Sequence, residues 1–402
     1  MAKTCRILYI GPCHPAEQAY GTQIRTVQAA TALRTLGTVD FVVVKLAGDQ
    51  YALDPARAGE FNVRCVIALE PIGPRRLLER LRCGCDARFL GYFGHRASAA
   101  DRAFLETEAA GYDLLWFHNL RSVDPFGRWS WPNAVLDLDD VPSTYYRTVA
   151  ATAPTMGARW RAQWRGRIAA QRERRLRERF AAVCVCSAAD KRHLALPEPV
   201  IVIPNGFARP AAEPVRQPAT PVRLGFIGTF DYAENVAGVR WFLECCWPRV
   251  KQQVPEARLR LVGRGGEALA AGQPDVDALG FVPDAAAEVA SWAAMLVPVQ
   301  TGAGTRVKIA EAFSRRCPVV ATPLGAFGYD VASGRELLLG ETAVEFAAAC
   351  VRLIREPGLA SALAERAWQL FNRELTWEAI QPRVLSAAQA VLGAGPDISH
   401  PA

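Results

Sequence analysis

The chain has 402 residues, half of them hydrophobic and 22% charged, with a formal net charge of +7. This composition excludes a disordered or fibrous chain and allows two domains of ordinary size. No run of about 18 uncharged apolar residues occurs, so no spanning helix is expected.

The N-terminal MAKTCRILYIGPCHP has too short an apolar stretch for a signal peptide and reads as a first strand. The chain is therefore expected to stay in the cytoplasm. Strand candidates in the first half are CRILYIG (5–11), VDFVVVKL (39–46), RCVIAL (64–69), DLLWFHN (113–119), AVLDLD (134–139), AVCVCS (182–187) and VIVIPNG (200–206). A helix over Thr22–Leu36, closed by Gly37, follows the first strand. Apolar runs alternating with helical patterns argue for an α/β fold with parallel sheets.

Nine arginines crowd Arg159–Arg179, where Trp160, Trp164 and Ile168, then Leu176 and Phe180, keep helical spacing. Two readings stand. A basic amphipathic helix of this kind can rest on an anionic membrane surface. Alternatively, it is a solvated helix with its apolar stripe on the core, a reading favoured by Glu173 and Glu178 in the positive face. Nucleic acid is not expected, because no recognised binding motif accompanies the charge.

Residues 204–221 hold five prolines without a hydrophobic period and read as a semi-rigid linker. Alternation then resumes with VRLGFIGTF (222–230), ARLRLVGRG (257–265), VDALGFV (276–282), AMLVPV (294–299) and PVVAT (318–322). The expected organisation is an N-terminal Rossmann-like domain over 1–203, the linker, and a second Rossmann-like domain over 222–376. A C-terminal helix with its tail completes it over 377–402. Two doubly wound domains joined in this way place a cleft between them, and such sheets bind ligands outside the carboxyl ends of their strands.

The 11 cysteines show no CxxC spacing, so reduced structural thiols are expected. Asp137, Asp139 and Asp140 in VLDLDD resemble a metal-binding DxD, yet strand alternation puts Asp137 and Asp139 on one face and Asp140 on the other.

The stretch VPVQTGAGTRVKIAEAFSRRCPVVATPLG (297–325) is the most informative. It reads as strand, glycine turn, helix and strand. If Gly302-Ala303-Gly304-Thr305 opens the helix, its free amides and positive dipole end face outward, as an anion requires. Lys308 and Glu311 then share one side, with Glu311 roughly 10 Å along the axis. A diphosphate at the mouth and a ribose beyond it fit that spacing.

Together with IGTFDYAENVAGVRWFLE (227–244), LGFVPD (279–284) and LTWEA (375–379), this segment resembles the retaining glycosyltransferases of family four, which have the GT-B fold. The N-terminal half carries AYGT (19–22), WFHN (116–119), CSAAD (186–190) and IPNG (203–206) in the same order. Within the family, GAGTRVK and VLDLDDVPS look most like a branch associated with bacterial exopolysaccharide assembly.

The resemblance implies two Rossmann-like domains facing across a cleft, with the donor bound by the C-terminal domain and the acceptor by the N-terminal one. The final helix would pack back toward the N-terminal domain. A nucleotide-diphosphate-sugar would be co-substrate, with no metal or other cofactor, and a glycan, lipid-linked or small-molecule hydroxyl the acceptor. Glu311 would take the ribose hydroxyls. Gly302, Gly304, Thr305, Arg306 and Lys308 would hold the diphosphate, and Phe281 and Val282 the base through backbone groups. Gly228 and Thr229 would line the donor, with Gly21 in the loop before the first helix and His118 facing the sugar. Arg306, Lys308 and His118 would be the catalytic groups. Asp139 or Asp140 stands on the acceptor side or serves as a cap.

Two departures from the family pattern are evident. Thr229 and Asn235 occupy the loop where a cation pair is expected, and Ala303 replaces the first member of a glutamate pair. A nucleotide-sugar epimerase of the same fold and a non-catalytic nucleotide-sugar-binding protein are the alternatives. A two-lobed solute-binding protein is set aside for want of an export signal.

Overall fold

Parallel strands buried on both faces read in sequence as unbroken apolar runs, and in the computed structural model those runs form two sheets. The structure describes residues 5–16, 21–46, 59–73, 78, 82, 85–86 and 94–393. The chain divides into one unit of residues 1–204 with 380–402 and a second of 205–379. The helix Trp377–Leu392 therefore starts in the second unit and ends in the first.

The first sheet contains β1 (Cys5–Gly11), β2 (Gly37–Leu46), β3 (Asn62–Pro71), β4 (His95–Arg96), β5 (Leu114–His118), β6 (Trp131–Leu138), β7 (Phe180–Val185) and β8 (Val200–Val202), in the order β4-β3-β2-β1-β5-β6-β7-β8. Only β4 runs antiparallel to its neighbour. The second sheet contains β9 (Arg223–Ile227), β10 (Arg258–Val262), β11 (Val276–Gly280), β12 (Trp292–Val297), β13 (Val319–Ala321) and β14 (Leu338–Leu339), all parallel, in the order β11-β10-β9-β12-β13-β14.

Both sheets reverse their winding beside the first strand, at β1/β5 in one and at β9/β12 in the other. That is the topological switch point, where the carboxyl ends of two adjacent strands leave a crevice. The central strands are fully enclosed: Ile7, Leu8, Tyr9 and Ile10 of β1, and Leu114, Trp116 and Phe117 of β5, have no solvent exposure. Each such aliphatic side chain contributes about 1.5–3 kcal/mol through burial, so both switch points rest on rigid strands.

All twelve strands expected from sequence are present; β4 and β14 are too short to show a period. The first helix differs from expectation. It spans Gly21–Leu33, because Thr35 and Leu36 tighten into amide bonds to Ala32 and Leu33, three residues back. Gly37 opens β2 rather than capping the helix. Gly21, expected in the loop before this helix, is helical.

The proline-rich stretch before β9 carries no helix or strand and lies on the second unit. Phe207 N donates to Leu375 O, Gln217 N to Ala290 O and Ala219 N to Ser291 O, at 2.9–3.0 Å.

Candidate functional site

At the first switch point, His118 ends β5 with no solvent exposure. Its Nδ1 lies 3.0 Å from the Tyr9 hydroxyl and 2.9 Å from Thr26 Oγ1. Tyr9 rises from β1 and Thr26 from the Gly21–Leu33 helix, so three elements fix the ring. Burial, with the Asp137 carboxylate nearby, raises the Tyr9 pKa well above its usual value and keeps it a neutral phenol. Nε2 has no hydrogen-bond partner among the described residues, and Asp139 Oδ2 stands 3.7 Å away.

The three aspartates separate by role. Asp137, 1% exposed, takes two hydrogen bonds from Arg25, at 2.6 Å and 3.0 Å. Arg25 is itself 2% exposed and also donates to Ile203 O at 2.9 Å. This buried pair with a backbone anchor ties the first helix to β6 and to the end of β8. Asp139 follows β6, accepting from Thr22 Oγ1 at 3.4 Å, while Cys186 Sγ donates to its carbonyl at 3.0 Å. Asp140 is exposed. Among the described residues no group of three or more His, Cys, Asp or Glu side chains is arranged to hold a metal ion. The described cysteines form no disulfide, and Cys83 lies outside the described residues.

At the second switch point, the chain leaves β12 through Gln300–Arg306 before the helix Val307–Ser314. The helix opens at Val307, three residues after Gly304, where the glycine turn implied its start. Arg306, in extended conformation, is its N-cap, so Gly304 and Thr305 stand ahead of it. Glu311 then lies roughly 6 Å along the axis from the first helical residue, not 10 Å. Gly302 has φ 129°, and a Cβ there would run into the Arg306 guanidinium. Tyr329 Oη donates to Arg306 O at 3.0 Å and holds the turn down.

This loop collects polar groups without protein partners. Arg306 Nε and Nη2, Thr305 Oγ1 and Gln300 Nε2 are all buried and lack a hydrogen bond among the described residues. Leaving such groups unmet costs about 1–3 kcal/mol each, more when charged. Most buried polar groups in folded proteins are satisfied, so this set of unmet ones within seven residues leaves hydrogen-bonding capacity for an acceptor.

Lys308 adds a cation. Its Nζ donates to Asn235 Oδ1 at 2.9 Å and sits 4.0 Å over the Phe226 ring. Burial first, and then Arg306, lower its pKa to about 7, with Glu311 acting in the other direction. Gly228, at φ 154° after β9, leaves the space for this: a Cβ there would be 3.3 Å from Lys308 Nζ. Asn235 Nδ2 donates in turn to Thr229 O at 2.7 Å. The loop without a cation of its own thus receives one from the neighbouring helix.

Glu311 is half-buried and pairs with Arg315 at 3.0 Å, one turn on, rather than with Lys308. Burial raises its pKa, and Arg315 and Lys308 oppose the shift. Ala303 is 3% exposed and cannot stand in for a second carboxylate. Phe281, 59% exposed, follows β11 with the Arg264 guanidinium 5.2 Å from its ring centre, and Val282 packs against the core.

Of the residues singled out in sequence, Gly228, Thr229, Gly302, Gly304, Thr305, Arg306, Lys308 and Glu311 lie on the two segments that follow β9 and β12. Phe281 and Val282 lie after β11. His118 and Gly21 belong to the first unit, while Ala19 and Tyr20 lie outside the described residues. Sequence reasoning missed Arg25, Tyr9, Thr26, Gln300 and Arg315. An arginine in the small, apolar GTQIRTVQAATAL helix was a usable signal for Arg25; the others become visible only in three dimensions.

Residues 221–356 match the family model described as Glycosyl transferases group 1. No sequence among curated proteins matches the chain. Among solved structures it is similar to sucrose-phosphate synthase from Thermosynechococcus elongatus, with TM-score 0.67 and 17% identity over 97% of this chain and 99% of the other. It is also similar to Anabaena HepE solved with UDP and glucose, with TM-score 0.63 and 15% identity over 95% and 98%. A third is WaaG, a glycosyltransferase involved in lipopolysaccharide biosynthesis, with TM-score 0.60 and 14% identity over 96% and 100%. The second unit thus matches the group 1 glycosyl transferases, within a chain that has the α/β, two-Rossmann-domain fold of GT-B glycosyltransferase structures.

Proposed function

We propose that the chain moves a sugar from a nucleoside-diphosphate-sugar to an acceptor hydroxyl with retention of configuration, in polysaccharide or glycoconjugate assembly. The observation that carries this reading is the set of buried donors without acceptors at Gln300, Thr305 and Arg306, beside Lys308. A diphosphate supplies the missing acceptors and restores the lysine's charge. Glu311 accepts from ribose hydroxyls, its carboxylate oriented by Arg315. Backbone groups near Phe281 and Val282 hold the base. His118 Nε2, the ring nitrogen without a hydrogen bond, meets a sugar hydroxyl.

In this reading the acceptor hydroxyl attacks the anomeric carbon on the face from which the diphosphate leaves, and the departing oxygen helps take its proton. The protein contributes orientation and electrostatic stabilisation of the leaving group. Arg306 and Lys308 neutralise it without a metal. The acceptor is a glycan or lipid-linked hydroxyl, met in the cytoplasm or at the inner face of the membrane. HepE, solved with UDP-glucose, and WaaG, described as involved in lipopolysaccharide biosynthesis, support the donor class and a role in glycoconjugate assembly.

The test is incubation of the enzyme with a panel of nucleotide sugars, with and without acceptor pools, reading the product anomer by NMR. A product of unchanged anomeric configuration is expected. Epimerised sugar formed from donor alone would replace this reading with epimerisation, and tight donor binding without transfer to any acceptor would make the chain a binding protein.

A further inference from the structure

The helix Met156–Glu173 begins where Thr155 Oγ1 accepts from Ala158 N and runs about 27 Å. One side packs through small residues: Ala162 and Ala169 are buried, and a Cβ at Gly166 would come 3.3 Å from Tyr146 Cβ on the helix Pro142–Thr152. The apolar stripe of this arginine-rich segment was expected to lie on the core; Ile168, Leu176 and Phe180 are buried, but Trp160 and Trp164 are not. Met156 is 78% exposed, Trp160 62% and Trp164 37%. The two indoles stack, centres 5.9 Å apart and planes 17° apart.

Residues four apart advance only about 40° around a helix, so Met156, Trp160 and Trp164 share one outward strip. The same geometry puts Arg159 on one flank and Arg161 on the other, with Arg167 within the strip, while Arg165 turns toward the packed side and Tyr146. No acidic residue occurs from Met156 to Arg172. The two glutamates that interrupt the pattern in sequence are not on this face. Glu173 is 2% exposed and accepts from Ser143 N at 2.7 Å. Glu178 lies beyond the helix and pairs with Arg175 at 2.7 Å.

We propose that this face rests in the surface of an anionic lipid bilayer, with Met156, Trp160 and Trp164 among the upper acyl carbons and the arginines on the headgroup phosphates. Exposed tryptophans flanked by cations and free of acids suit that boundary, where an indole has both an apolar and a wet side. No helix among the described residues is long and apolar enough to cross a membrane, so the contact lies in the plane. A protein partner with an acidic groove would meet the same charges, but it gives no reason for two stacked tryptophans to stay in water. The proposal specifies the membrane setting named above. Because it is read without donor or acceptor, its failure would leave the transfer reading standing.

The experiment is flotation of the full chain with vesicles of phosphatidylcholine alone and with 30% phosphatidylglycerol, at low and high salt. Binding to the anionic vesicles only is expected, weakening at high salt. Trp160→Ser with Trp164→Ser should lower the partition at least about tenfold, and each of Arg159→Gln and Arg161→Gln about fivefold, with unchanged thermal unfolding. Equal binding to both vesicle types, no binding by the wild type, or wild-type binding by the folded tryptophan variant would overturn the proposal. So would loss of a dimer in the tryptophan variant without any vesicle binding, which would make the face a contact between copies.

Discussion

The two units place polar side chains at equivalent points, where each sheet reverses its winding, yet use them differently. Beside β1 and β5 the charges are paired within the protein: Arg25 with Asp137, and His118 Nδ1 with two hydroxyls. Beside β9 and β12 the donors of Arg306, Thr305 and Gln300 are buried and unmet, and Lys308 has lost part of its basicity to burial. A satisfied buried pair maintains architecture, and an unsatisfied cluster marks a ligand. The comparison separates the Arg25–Asp137 pair, which holds the fold together, from the cluster of donors unmet among the described residues, and puts His118 Nε2 with the unmet groups.

The largest expected effect falls on the satisfied side. Asp137→Asn leaves Arg25 charged and poorly paired in the core, and should cost about 3–5 kcal/mol of stability in urea unfolding. A loss below about 1 kcal/mol would remove the contrast. Arg306→Gln should show the reverse pattern. Its stability should stay within about 1 kcal/mol of wild type, since no protein partner is lost, while nucleoside diphosphate affinity falls by about 1.5–3 kcal/mol.

Lys308 sharpens the comparison through pH. Its pKa of about 7 in the free protein rises when an anion binds, so binding takes up a proton above pH 7. Affinity should be flat below that pH and fall as pH rises above it, by at most about tenfold per unit. Lys308→Met should flatten the profile; an identical slope in the variant would assign it to another group. The smallest effect is expected from Tyr9→Phe, which removes one hydroxyl from His118 Nδ1 and should cost about 1 kcal/mol of stability.

Much of the fold was legible because strands buried on both faces write themselves as apolar runs, and all twelve longer strands appear as such. The Gln300–Lys308 segment was legible because its glycines and cations are adjacent in sequence. Its details were not. The start of the helix at Val307, the pairing of Glu311 with Arg315, and the reach of Lys308 to Asn235 depend on side-chain geometry that spacing does not encode. Arg25 and Tyr9 were hidden because their partners lie 112 and 109 residues away. In the Arg159–Arg179 segment, Glu173 interrupts the charge in sequence, but the fold buries it.

Calorimetric titration of UDP, GDP, ADP and TDP into the wild type, Arg306→Gln and Lys308→Met at pH 6.5 tests the central claim directly. The account expects one diphosphate to bind the wild type, its monophosphate to bind more weakly, and both variants to lose most of that difference. Binding that is equal in all three proteins, or no binding of any diphosphate by the wild type, would contradict it.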